Sequence, residues 1–165
     1  MKLVAIPSQT VGPYFHLGLT GQRSVGCVAS PGPQGEPVKL IFTLLDGDGQ
    51  PINDAMIEIW QANADGQYNH SEDRQDKKMD SSCRGFGRMG TDESGTCEFE
   101  AVKPGRVPGP GDTLQAPHLN ISVFARGVLK RLPTRVYFAG DPANNDDPVL
   151  ALVPEDRRRN PDGAA

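Results

Sequence analysis

His118-Leu119-Asn120-Ile121-Ser122-Val123-Phe124-Ala125 is the stretch on which the fold turns. Leu119, Ile121 and Val123 alternate with His118, Asn120, Ser122 and Phe124, and a period of two is the pattern of a β-strand with one apolar and one polar face. His118 and Asn120 therefore share the polar face. Two imidazoles at this i, i+2 spacing could grip one ion. Here the second position holds a carboxamide, whose neutral oxygen is a weaker donor than imidazole nitrogen to iron, copper or zinc. The stretch reads as the plan of a metal site with a ligand missing.

Working outward, residues 38–45 form a β-rich run that stops at Asp46-Gly47-Asp48-Gly49, and residues 55–62 resume the extended pattern up to Asn63-Ala64-Asp65-Gly66. The second turn delivers Tyr68. Residues 86–91 and 96–102 flank Asp92-Glu93-Ser94-Gly95, with Cys97, Phe99 and Ala101 alternating against Glu98 and Glu100, which predicts a hairpin with one wet face. Residues 135–139 supply a further short strand. No helix of convincing period is present, and no internal repeat. Short strands between regular turn signals predict an all-β fold, an antiparallel β-sandwich with little helix and long loops at 21–37, 71–84 and 104–117.

The length of 165 residues, with no break between apolar blocks, predicts one domain over residues 1–165. With 17 basic against 21 acidic residues, and no basic stripe beyond Arg157-Arg158-Arg159, nucleic acid is not an expected partner. No apolar run is long enough to span a bilayer and the N-terminus lacks a secretory apolar core, so no membrane association and a cytoplasmic location are expected. Cys27, Cys83 and Cys97 are odd in number and irregular in spacing, which suits free thiols in a reducing compartment. The glycines of residues 105–111 lack the strand, helix and lysine of a phosphate loop and read as surface loop.

Five motifs follow one another along the chain: Pro7-Ser8-Gln9-Thr10-Val11-Gly12-Pro13-Tyr14, Ile57-Glu58-Ile59-Trp60-Gln61-Ala62-Asn63-Ala64-Asp65-Gly66-Gln67-Tyr68, Phe86-Gly87-Arg88, Val102-Lys103-Pro104-Gly105 and Ala116-Pro117-His118-Leu119-Asn120-Ile121. In this order they resemble the intradiol ring-cleaving dioxygenases, from Pro7 to Arg159. The resemblance implies a β-sandwich and a ferric ion held by two tyrosines and two histidines. Tyr68 matches the first tyrosine and His118 the first histidine. Val107 stands at the second tyrosine position and Asn120 at the second histidine, while a family arginine just upstream of the histidine pair corresponds to Gln115. With two of four ligands replaced, no metal and no catalytic residue are expected in this chain. Tyr68 and His118 also read as ordinary half-buried polar residues.

Within the family, the opening Thr10 to Tyr14 and Asn120-Ile121-Ser122-Val123-Phe124-Ala125-Arg126-Gly127 resemble the non-iron-binding chain of alpha–beta hetero-oligomers. That implies a beta chain as partner carrying Fe(III), and protocatechuate and O2 as substrates. It also implies that residues 1–20 lie at the partner boundary, with Thr10, Gly12, Pro13 and Arg126 lining the substrate approach. Arg126 suits a carboxylate-bearing ligand, and a surface ion pair is its bland alternative. By the same resemblance the closing C-terminal strands are missing after Asn160-Pro161-Asp162-Gly163-Ala164-Ala165. Two other readings remain open: a stand-alone β-sandwich binding or interaction module, and a catalytic chain with substituted ligands.

Overall fold

The period-two stretches form strands in the computed structural model, which describes residues 5–12, 14–21, 24–26, 28–29, 32 and 34–158. In chain order the strands are β1 (Pro37–Thr43), β2 (Met56–Trp60), β3 (Phe86–Gly90), β4 (Thr96–Val102), β5 (Val107–Pro108), β6 (Leu114–Gln115), β7 (His118–Phe124) and β8 (Leu132–Tyr137). One antiparallel sheet runs β3-β2-β7-β8, β1 pairs with β4, and β5 with β6 makes a small hairpin.

The two larger sheets face each other. Ile57 and Ile59 of β2 and Leu119 and Ile121 of β7 pack on Cys97 and Phe99 of β4, with Leu40 and Phe42 of β1 closing the cluster. Phe42 meets Phe99 edge to face at 6.0 Å between ring centroids, the arrangement that ring quadrupoles favour. This is the expected sandwich. Residues 24–26 and 28–29 stitch its two sheets along one side. Val25 exchanges backbone hydrogen bonds with Arg88 of β3 (2.6 and 2.7 Å), whereas Gly26 and Val28 bond to Glu100 of β4 (3.0 and 2.9 Å).

The structure corrects one expected pairing. Residues 86–91 and 96–102 are strands, but they are not partners: β3 pairs with β2, and β4 with β1. The turn between them does form, with the Asp92 carboxylate accepting from the backbone N–H groups of Ser94 and Thr96, each at 2.9 Å. Gly95 O then accepts from Leu44 N at 2.8 Å, so the turn hands the chain across the sandwich to β1. Three smaller differences follow. β8 begins at Leu132, before the expected Arg135; β5 and β6 interrupt the expected loop at 104–117; and a short helix, α1 (Tyr14–Leu19), follows the N-terminal segment. No helix among the described residues is long and apolar enough to cross a membrane.

Burial of Cys83 and Cys97 as free thiols agrees with the unpaired cysteines expected; Cys27 lies outside the described residues. Burial lifts the Cys97 thiol to about 11, and it stays protonated at neutral pH. Phe99 is 1 % exposed at the centre of the core, whereas Ile41, on the outer face of β1, is 58 % exposed. Phe99→Ala is expected to lower the unfolding free energy by about 3–5 kcal/mol and Ile41→Ala by less than about 1 kcal/mol, read by urea denaturation.

Candidate functional site

Because β2 and β7 turn their aliphatic residues into the sandwich, the pleat directs Trp60, His118 and Asn120 to the other side. The register aligns Phe86 with Trp60, Trp60 with Asn120, and Asn120 with Arg135, a single row across four strands. His118 is opposite Tyr137 in the next row, their ring centroids 5.9 Å apart.

Tyr68 reaches this face from a loop built by its own turn residues. Asn63 Oδ1 accepts from the N–H groups of Asp65 (3.0 Å) and Gln67 (2.9 Å), and Gly66 takes φ +78°, a left-handed conformation open to glycine. A Cβ on Gly66 would fall 1.9 Å from Arg106 O, so only glycine lets loop 63–67 press on segment 105–107. Val107 is thereby buried beside Tyr68. The Tyr68 ring stacks on Trp60, 5.9 Å between centroids and 6° between planes, and His70 meets Trp60 edge-on at 6.2 Å.

The structure brings Tyr68, Asn120 and Val107 together, with His118 beside Asn120 on the same face of β7, and adds a group the sequence did not announce. The Arg135 guanidinium donates from Nη1 to Gln115 Oε1 at 2.7 Å and lies close enough to Tyr68, His118 and Tyr137 to act on all three. Burial raises the Tyr68 hydroxyl above its usual range, against the opposing pull of the Asn120 side-chain hydrogen bond and of Arg135. Burial also lowers the His118 imidazole, and the Arg135 charge lowers it further. Both groups are neutral at pH 7. His118 Nδ1 donates to Ala116 O at 2.8 Å in the neutral ring, and the lone pair of Nε2 is buried without a partner among the described residues.

A second buried group holds the frame. Asp147 is 1 % exposed. Its carboxylate accepts from Ala116 N (2.7 Å), Val149 N (2.8 Å), Leu150 N (2.6 Å) and the Tyr137 hydroxyl (3.3 Å). Burial alone would raise its pKa, but these backbone donors outweigh it and hold the carboxyl below the usual range. The bond to Ala116 fixes the residue whose carbonyl orients His118. Neither Arg135 nor Asp147 carried a motif; for Arg135 the signal was its place on the strand paired with β7.

A ferric ion does not fit these residues. Val107 offers no donor atom, Asn120 is committed to Tyr68, and a guanidinium occupies the electrostatic role of a cation. No group of three or more His, Cys, Asp or Glu side chains among the described residues could hold a metal.

The other sequence-expected residues gather at the far end of β7, about 20 Å from His118 at 3.3 Å per residue. Gly127 N donates to Thr10 Oγ1 at 2.9 Å, tying the N-terminal segment to the turn after β7. Arg126 Nε bonds Asp54 Oδ2 at 2.8 Å, and its side chain is 67 % exposed. Gly12 takes φ +70° and nothing lies within 4 Å of where a Cβ would be, so backbone conformation, and not close approach, calls for glycine there. Pro13 lies outside the described residues.

Comparison with known proteins follows the same lines. The family model described as Dioxygenase matches residues 11–157. The chain is 42 % identical over 163 residues to the protocatechuate 3,4-dioxygenase alpha chain of Burkholderia cepacia, covering 92 % of this chain and 79 % of that one. It is 38 % identical over 128 residues to the beta chain from the same organism, covering 76 % and 54 %. Among solved structures, catechol 1,2-dioxygenase from Acinetobacter sp. ADP1 aligns with a TM-score of 0.62 at 27 % identity, over 73 % of this chain and 42 % of that one.

The depressed His118 pKa makes stability depend on pH. The unfolded chain takes up a proton near the ordinary value of 6.5, whereas the folded chain does so only at lower pH. The contribution is therefore complete above about 6.5 and lost as pH falls from there through the folded pKa. Thermal unfolding should show Tm falling between pH 7.5 and 5.5, and the fall should shrink in His118→Gln; an equal fall in both proteins would mean that other groups cause it.

Proposed function

The chain belongs to the dioxygenase family of intradiol ring-cleaving enzymes, and from that premise we propose that it is the alpha, non-iron-binding subunit of a protocatechuate 3,4-dioxygenase. One observation carries the reading: at the positions where the family holds ferric iron, Val107 and Asn120 donate nothing to a metal and Arg135 supplies a fixed positive charge. A chain so altered serves the reaction through a partner. The beta chain then holds Fe(III), and the complex inserts both atoms of O2 into protocatechuate to give 3-carboxy-cis,cis-muconate in aromatic catabolism, in the cytoplasm.

No covalent step falls on this chain. Residues 1–20 form the boundary with the beta chain, and Thr10, Gly12, Pro13 and Arg126 line the approach to the partner's site. The tie between Thr10 and Gly127 supports this, because it fixes the N-terminal segment beside Arg126. Arg126 leans on Asp54 with one edge and is otherwise open, leaving N–H donors for the substrate carboxylate. The polar end of β7 that carries His118 faces away from this boundary region, so the two ends of one strand serve different purposes.

Co-expression with a beta chain, followed by size-exclusion chromatography, iron analysis and oxygen uptake with protocatechuate, tests the assignment. Expected is a co-eluting complex with about one iron per alpha–beta pair, and neither iron nor turnover in the chain alone. A folded chain that ignores every beta chain would point to the stand-alone binding module instead. Within the complex, Arg126→Ala should raise KM for protocatechuate about tenfold with iron content unchanged; unaltered kinetics would leave Arg126 as a surface ion pair.

A further inference from the structure

The outer face of the β3-β2-β7-β8 sheet carries an open cleft of about 610 Å³, within the range of small-molecule sites. Its floor is the row Phe86, Trp60, Asn120 and Arg135, and Ser122 and Arg131 stand at its side. Two features set its chemistry. The first is charge: Arg131 and Arg135 both line the cleft, and neither is ion-paired among the described residues. The acidic residue in the lining, Glu58, is already engaged by Arg88 through bonds of 2.6 and 2.8 Å. Two arginines therefore line one cavity whose lining carboxylate is already paired. The second is shape. Tyr68, which stacks on Trp60, lines a neighbouring cleft and not this one, whereas Trp60 and its cross-strand neighbour Phe86, over whose ring the Arg88 guanidinium lies at 5.4 Å, both line this one.

We propose that this cleft is a binding site for a small aromatic carboxylate, whose ring lies against Trp60 and Phe86 and whose carboxylate is held by Arg135 and Arg131. Trp60 and Arg135 are two strands apart, about 10 Å along the row, a span that their side chains and a one-ring acid fill together. Arg135 is hydrogen-bonded to Gln115 and to the Tyr137 side chain and still has N–H groups to give, since a guanidinium carries five. Ser122, also in the lining, offers a polar atom for a ring substituent. A cation is repelled by the same pair of arginines, and a bare inorganic anion would leave the aromatic surfaces unfilled. The site is distinct from the boundary at Arg126 and stands on this chain alone, whatever partner the chain has.

Trp60 is the sole tryptophan of the chain, so its fluorescence reports the cleft directly. The full chain would be titrated with 4-hydroxybenzoate, with its methyl ester as a neutral analogue and with acetate as an anion lacking a ring. Expected is a saturable change with 4-hydroxybenzoate, at least tenfold weaker binding of the ester and of acetate, and at least tenfold weakening in Arg135→Gln. Arg131 is exposed and is not among the residues of the core cluster, so Arg131→Gln should keep the fold and weaken binding several-fold; circular dichroism checks both variants. No saturable signal in the unaltered chain overturns the proposal. So does an ester or acetate that binds as tightly as the acid, or a folded Arg131→Gln and Arg135→Gln pair that binds as the unaltered chain does.

Discussion

Packing of Ile59 and Ile121 against Phe99 fixes the direction of every side chain on β2 and β7. The pleat admits two faces only, and a slip of one residue would turn Ile59 and Ile121 outward and bury Trp60 and Asn120 in their place. At roughly 25 cal/mol per Å² of apolar surface, losing several large aliphatic side chains from the core would cost many times the value of any contact on the outer face. The outer row from Phe86 to Arg135 is thus set by residues that never touch it. The core chooses the register, and the register assembles the site.

Much of this was legible because the deciding signal is local. Alternation in residues 96–102 placed β4 at its observed bounds, and alternation in residues 118–125 placed β7 to within one residue; both assigned the faces correctly. What failed needed information from elsewhere in the chain. The Asp92–Gly95 turn has the residues of a hairpin and forms as one, yet Val25 takes the edge of β3 that a hairpin partner would have used. Arg135 could be seen as a strand residue, but its place opposite Asn120 depends on a register set across the turn at residues 125–131. Asp147 left no trace at all, since its partners are backbone N–H groups at residues 116, 149 and 150 and any sequence supplies those.

The cluster of Tyr68, His118, Asn120 and Arg135 is coherent as electrostatics. Ferric iron is bound by phenolate oxygen, which requires that burial be overcome by the charge of the ion itself. With a single guanidinium in that neighbourhood, burial prevails at Tyr68 and the phenol keeps its proton. The same charge reinforces burial at His118 and keeps the imidazole neutral. Arg135 therefore leaves a cluster whose net charge is its own, balanced at a distance by Asp147, whose lone pairs are occupied by backbone donors and Tyr137. Under the proposed reading, two replaced ligands and one arginine leave a cluster that lacks donors for a trivalent cation and carries a fixed positive charge.

β7 joins two regions with opposite requirements. At the His118 end, four strands give a rigid, paired surface, and the groups there are buried, as His118 is, or half-buried, and locked by register. At the other end, the strand gives way to Ala125-Arg126-Gly127, where the backbone turns and Thr10 is anchored by one hydrogen bond. Exposed ion pairs such as Arg126 with Asp54 contribute little to stability, so Arg126 can exchange its partner for a ligand at small cost, whereas Arg135 cannot leave Gln115 without disturbing the β5–β6 hairpin that Gln115 also bonds, at Pro108 O. A boundary residue gains from that freedom. A cleft residue gains from its loss, because a guanidinium already held in place gives up less conformational entropy when a carboxylate arrives.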